Sequence, residues 1–194
     1  MEFSISEQWN GEKIDHDPVI LKLSTTNEGS VCLEVDAPFF DDPKPEGPAG
    51  RPFPQLWDYE VVEAFFLGKD DRYLEVELCP HGQHLVLLLN GRRKMIKDEL
   101  PLEYSSQIDK EKKRWAGKAR IPSSYFPHFV SKFNAYAIHG VNERRTYEAL
   151  YPAEKDKHSE PDFHRLEYFQ PIDVSSILQH NEVESDVWKE ALLK

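Results

Sequence analysis

The chain has 194 residues, enough for one domain of ordinary size and short of two. Its formal net charge of −11 repels phosphate backbones, which excludes nucleic acid as a partner. Apolar residues at 39% and charged residues at 30% exclude wholesale disorder, and no apolar run approaches a membrane span, so no membrane partner is expected.

Residues 1–17 have neither a basic n-region nor an apolar h-region, and the chain carries no Asn-x-Ser/Thr acceptor, so the expectation is a cytoplasmic protein. The dominant period that follows is two. Residues 19–24 and 30–40 alternate as strands until Asp41 and Asp42. Residues 41–54 hold five prolines and two glycines, a composition that leaves a long ordered loop, often a functional element. Residues 58–68 read as a strand and 68–72 as a turn. In 73–80, Leu74, Val76 and Leu78 face one way and Glu75 and Glu77 the other. Residues 84–91 form an apolar strand that ends in the hairpin signal Asn90-Gly91. The basic runs at 91–97 and 110–114 read as solvated hairpin ends. After a Pro-led segment at 101–108, residues 113–122 read as a strand with Trp115, Gly117, Ala119 and Ile121 on one face. Residues 122–130 suggest one helical turn broken by Pro127. Residues 132–141 and 145–152 form a further pair, 153–162 a polar loop and 163–172 a last strand. The tail has helical spacing at Val187, Trp188, Ala191 and Leu192, with Ser185 or Asp186 as its cap.

About ten short strands with no βαβ rhythm predict an all-β protein: an antiparallel β-sandwich over residues 1–172, then a tail, 173–194, with a short helix. Cys32 and Cys79 fall in apolar strand-like runs and read as buried free thiols, although sequence alone leaves a disulfide open.

The chemistry gathers around residues 56–66, where Glu60 and Glu63 interrupt an apolar run. On a strand they point to opposite faces, so one carboxylate must sit beside bulky apolar groups and find donors or a cation. It is either a structural ion pair, with Arg92, Arg120 or Arg145, or a ligand-binding carboxylate on a concave face with Trp57 as a flat platform. Trp57 and Tyr59, with Phe39 and Phe53, cluster by the Pro-rich loop. Rings beside carboxylates suit sugars, and the same rings could equally close the end of a sandwich. His81 and His84, with Asp162 and His164, have metal-binding chemistry. Histidines three apart in a turn need not converge, however, and no tight motif fixes a third ligand, so no metal is assigned. There is no Gly-x-Ser-x-Gly elbow, phosphate loop, dinucleotide fingerprint or His-Glu-x-x-His, so no cofactor is expected and no catalytic residue is assigned. An enzyme would have to use Glu63 with Glu75 or Glu77, since Glu60 and Glu63 cannot serve together.

The segments 37–43, 56–68, 73–93, 133–140, 147–152 and 161–169 resemble a family of small proteins encoded in vertebrates by an open reading frame on chromosome four, with relatives in bacteria. The resemblance covers about residues 1–172 and brings no activity with it. The pattern is also similar, more remotely, to family-9 carbohydrate-binding modules and DOMON-like sandwiches. In those modules a tryptophan is followed six residues on by a sugar-binding glutamate. The resemblance thus implies that Trp57 and Glu63 are a platform and a binding carboxylate, with Glu60 at the family's Asp position. A second tryptophan of the modules has no counterpart here, and Tyr147 or Tyr151 would stand in its place. Haem-binding relatives use Met and His ligands, and with only Met1 and Met95 present haem is not implied.

The candidate ligand-binding set is therefore Trp57, Tyr59, Glu60, Glu63, Glu75, Glu77, His81, His84, Tyr151 and His164. The expected function is a non-catalytic binding module for a carbohydrate or similar polar small ligand. The alternatives are an enzyme acting on such a ligand through Glu63, Glu75 or Glu77 with His81 or His84, and a protein-interaction domain that uses the Pro-rich loop for a partner the sequence does not name.

Overall fold

A computed structural model describes residues 1–179 and 182–193. Among these residues the strands are β1 (Glu2–Ile5), β2 (Glu7–Gln8), β3 (Val19–Thr25), β4 (Val31–Pro38), β5 (Val61–Leu67), β6 (Arg72–Leu78), β7 (His84–Asn90), β8 (Met95–Lys97), β9 (Glu103–Asp109), β10 (Arg114–Ile121), β11 (Lys132–His139), β12 (Thr146–Ala149) and β13 (Gln170–Pro171); one helix, α1 (Asp186–Leu192), follows. Two antiparallel sheets form. One has the order β1-β3-β4-β10-β9; the other runs β2-β12-β11-β5-β6-β7-β8, with β13 beside β11. The all-β antiparallel sandwich read from the sequence is the observed architecture.

Alternation explains the dry interior. Val31, Leu33, Val35 and Ala37 of β4 pair in register with Ile121, Ala119, Gly117 and Trp115 of β10, and their shared face is buried. Gly117 is required there, because a Cβ would lie 2.8 Å from the Trp115 ring and 3.0 Å from the Tyr104 hydroxyl. Against this face lie Val62, Ala64 and Phe66 of β5, Leu74, Val76 and Leu78 of β6, and Val86 and Leu88 of β7. Helix α1 completes the same core with Trp188 and Ala191. Ser185 is the cap: its hydroxyl accepts from Trp188 N and donates to Ser124 O, and the Trp188 indole donates to Tyr125 O at 2.9 Å. Cys32 and Cys79 are buried free thiols.

Several elements depart from the sequence reading. β1 and β2 are too short to carry a pattern, and β9 is largely polar, with Tyr104 as its buried anchor. Trp57 does not begin the β5 strand. It sits in a single 3-10 turn, Leu56–Asp58, with the strand starting at Val61. Of the expected strand at 163–172, only Gln170–Pro171 pairs, preceded by a 3-10 turn at Leu166–Tyr168. The hairpin after β7 is longer than a two-residue Asn-Gly turn: Asn90 N bonds Lys94 O at 2.9 Å, and Gly91 and Arg93 take φ of 93° and 58°.

The outer face of the larger sheet is also buried. Leu56, Phe65, Tyr73, Leu85, Leu87, Leu89, Tyr136, Ile138, Phe163 and Phe169 form a second apolar cluster there. The Pro-rich loop is strapped across one end. Gly50 N donates to Gly82 O at 2.8 Å, Phe53 N to His84 O at 2.9 Å, and the Gln83 side chain to Gly47 O at 2.5 Å.

Candidate functional site

Because strand side chains alternate, a residue between core-facing Val62 and Ala64 must face outward. Glu63 does so, and the β5–β6 register sets it directly opposite Glu77, with Glu75 opposite Phe65. One oxygen each of Glu63, Glu75 and Glu77 lies within 4.8 Å of the others. All three residues are buried, at 2%, 3% and 0% exposure. Glu63 Oε1, Glu75 Oε2 and both oxygens of Glu77 lack a protein hydrogen-bond partner of good geometry among the described residues.

Glu63 and Glu75 open into a pocket of about 410 Å³. Leu87, Leu89 and Ile138 supply its apolar floor, Trp57, Tyr147 and Phe163 its aromatic walls, and Asp58, Arg93, Arg145, Asp162 and His164 its polar rim. Trp57 is 39% exposed, a high value for a tryptophan, so its ring faces solvent at the pocket mouth. Arg145 holds it there. The guanidinium donates to the carbonyls of Trp57, Asp58 and Tyr59, and also to Gly140 O, which fixes the 3-10 turn to the loop before β12. On the opposite rim Arg93 Nη2 donates to Asp162 Oδ1 at 2.8 Å, and Asp162 also accepts from His164 N at 2.9 Å. Tyr73 accepts from Arg93 N at 3.0 Å, while its hydroxyl lies 2.7 Å from His164 Nδ1. Phe163 stacks on Tyr136, with centroids 3.9 Å apart and planes 10° apart.

Burial dominates the electrostatics. It raises Glu63 well above the ordinary carboxylate range; the Glu75 charge adds to this, and Arg145 offsets only part of it. Burial also pushes Glu75 up to about 8, against the opposing effects of Glu77 and Arg93. Glu77 is raised by burial and then by the charges of Glu63 and Glu75, and its direct interaction with Glu75 leaves the proton on Glu77. At neutral pH the pocket therefore presents Glu75 as a neutral carboxyl able both to donate and to accept, with Glu63 and Glu77 shifted in the same direction. Burial, followed by the Arg93 charge, lowers His164 to about 4 and keeps it neutral beside the Tyr73 hydroxyl. Burial alone would raise Asp162, but the His164 amide and the Arg93 charge bring it below its ordinary value.

These features set the chain beside proteins already described. No family model matches it. The human UPF0462 protein C4orf33 is 50% identical over 195 residues, spanning 97% of this chain and 96% of its own length. The chain belongs to the UPF0462 family. The mouse homolog is 52% identical over 97% of this chain and all of its own length, and the zebrafish homolog is 49% identical. Among solved structures, the UPF0462 fold is shared by a chain from Bacteroides uniformis described as a "putative carbohydrate-binding protein", with a TM-score of 0.61 and 14% identity over 88% of this chain and 84% of that one. At that identity the likeness speaks for the fold alone.

The structure gathers Trp57, Glu63, Glu75 and His164 of the residues singled out from the sequence into one pocket, with Glu77 adjoining the two carboxyls from outside the lining. The others lie elsewhere. Glu60 is on the inter-sheet side, where its carboxylate accepts from Phe40 N at 3.2 Å and Asp42 N at 3.4 Å and anchors the Pro-rich loop; burial raises it to about 7. Tyr59 packs edge-on against Phe53, outside the lining. His84 is fully buried beneath the loop, and burial lowers it to about 4, while His81 meets Phe39 edge-on. Tyr151 gives its carbonyl to Asn134 and misses the pocket, so Tyr147 is the ring that shares it with Trp57. Of the arginines considered as partners for Glu63, Arg145 is near enough to act on it electrostatically but spends its donors on backbone carbonyls. Arg93, in a run read as solvated hairpin end, is part of the rim instead, and its Arg-Arg-Lys context gave no sign of this.

Proposed function

We propose that this UPF0462 protein is a binding module for a sugar or a similarly hydroxyl-rich small ligand, taken up in the pocket between Trp57 and Tyr147. The observation that carries this reading is the pair of buried carboxyls, Glu63 and Glu75, which line one hollow beside aromatic walls and each keep an oxygen without a protein hydrogen-bond partner among the described residues. A neutral carboxyl serves hydroxyl groups as donor and acceptor together, and an aromatic face accepts the C–H side of a sugar ring. A volume of about 410 Å³ lies within the roughly 300–1,000 Å³ common for small-molecule pockets. The description of the Bacteroides uniformis protein agrees with this ligand class. The cytoplasm is the compartment in which we place this binding.

The enzyme alternative has less support, because His81 and His84, its proposed partners, lie outside the pocket lining. The interaction-domain alternative would need the Pro-rich loop to be free, and that loop is strapped to β7.

The test is a panel of mono- and oligosaccharides and polyols, titrated calorimetrically and printed as an array, against wild type, Trp57→Ala and Glu63→Ala. The expected result is binding by wild type that falls at least about tenfold in each variant, the loss of one good polar or stacking contact. Equal binding by all three proteins, or none by wild type, rejects the reading.

A further inference from the structure

On the other side of the same sheet, at its β2–β12 end, three side chains converge that the sugar pocket does not use. Glu148 of β12 pairs with Ala137 of β11 and Gln8 of β2, so it faces the inter-sheet side with His139. His16, from the connector between β2 and β3, completes the group. His16 Nε2 is 2.8 Å and His139 Nε2 is 2.7 Å from one and the same oxygen, Glu148 Oε1. Glu148 is fully buried, and its second oxygen, Oε2, has no protein hydrogen-bond partner among the described residues. Phe40 lies flat on the His139 ring, with centroids 3.5 Å apart and planes 2° apart, and meets His16 edge-on.

We propose that His16, His139 and Glu148 form a binding site for a divalent transition-metal ion, with zinc as the ion that best suits the donors. Three features carry the assignment. The donor set is two imidazoles and one carboxylate, the combination found at zinc and non-haem iron centres that keep an open position. The orientation is also correct: His16 Nδ1 donates to Asp17 O at 2.9 Å, which leaves Nε2 as the ring atom aimed at the Glu148 carboxylate. A backbone carbonyl behind a ligating histidine is the usual outer-shell arrangement. Finally, the spacing is close. Zinc bonds of about 2.1 Å in a tetrahedron set donors about 3.4 Å apart, so the contacts of 2.8 and 2.7 Å need to open by only about 0.6–0.7 Å. The ring side chains of His16 and His139, 17% and 12% exposed, leave a path for the ion and for a water ligand.

The experiment is a titration of the chelator-treated full chain with Zn²⁺, read by calorimetry, and with Co²⁺, read by its visible d–d absorption. The variants are His16→Ala and His139→Ala, with Glu63→Gln as the outer-face control and thermal melts to confirm folding. His16 sits on a connector, so His16→Ala keeps the test available if the strand variant fails to fold. The expected result is one ion per chain, a Co²⁺ spectrum of a four- or five-coordinate N/O site, and at least about a hundredfold weaker binding when His16 is removed. Absence of binding by wild type overturns the proposal: the triad is then an imidazolium–carboxylate ion pair. Binding undiminished in both histidine variants also overturns it, as does binding lost only in Glu63→Gln, which would move the ion to the other face.

Discussion

The two faces of the central strands β5, β6 and β7 are both buried, yet they solve different problems. The inter-sheet face is mostly apolar, with Val62, Ala64, Phe66, Leu74, Val76, Leu78, Val86 and Leu88 at 3% exposure or less and His84 buried at its edge. The outer face places Glu63, Glu75 and Glu77 at the same depth among Phe65, Leu87 and Leu89. A face that served only packing would gain by exchanging those carboxyls for apolar groups, since buried polar atoms without partners are unfavourable by roughly 1–3 kcal/mol each. Their presence beside a hollow fits the proposal that the inner face serves stability and the outer face recognition.

Mutations separate the two. Phe66 is fully buried and packs on Phe126 and Phe133, so Phe66→Ala should lower unfolding stability by about 3–5 kcal/mol in a denaturant titration. A loss below about 1 kcal/mol would mean that the inner face is not the stabilising one. On the outer face the sign reverses. Glu75 titrates at about 8 in the fold against 4.5 for the free side chain, so the folded protein holds a proton that the unfolded chain releases. Wild-type stability from this group is then complete below pH 4.5 and is lost as pH rises toward 8. Glu75→Gln removes that dependence. Its advantage should grow across this window and level off above it, reaching on the order of 2 kcal/mol, or about 4–8 °C in melting temperature. Destabilisation by this variant at pH 8.5 would contradict the contrast between the faces.

Smaller effects sharpen the picture at the rim. Arg145→Ala removes the donor that holds the Trp57 turn, so hydrogen exchange at the Asp58 and Tyr59 amides should quicken about tenfold, a local loss of roughly 1.4 kcal/mol, with little change in the core strands. Trp57→Ala should alter global stability least, within about 0.5 kcal/mol, because its ring is solvent-exposed. A large loss there would make Trp57 a packing residue and not a platform.

The sandwich was legible because alternation is a local signal: residues 19–25, 31–38, 73–78 and 114–121 each announce a strand and its inward face. The carboxyl floor was half legible. Glu63 and Glu75 stand out in apolar runs, but strand alternation alone does not disclose that both faces are covered. The six-residue spacing from Trp57 to Glu63 picked out two residues that line one pocket, although a 3-10 turn and not a continuous strand brings the ring there. Arg93, Arg145 and Phe163 enter from distant loops with no local pattern to mark them. The His16–Glu148 contact, spanning 132 residues, could be seen only once β2, β11 and β12 were side by side.

The account rests on the outer-face carboxyls being neutral within an accessible hollow at physiological pH. Carbon-13 NMR of glutamate side-chain carboxyls, followed from pH 3 to pH 10 and assigned with Glu75→Gln, reads this directly. The prediction is a carboxyl midpoint near 8 for Glu75, with Glu63 and Glu77 also titrating well above 4.5. Midpoints near 4.5 for all three would show ordinary charged carboxylates, and the proposed recognition floor would be contradicted.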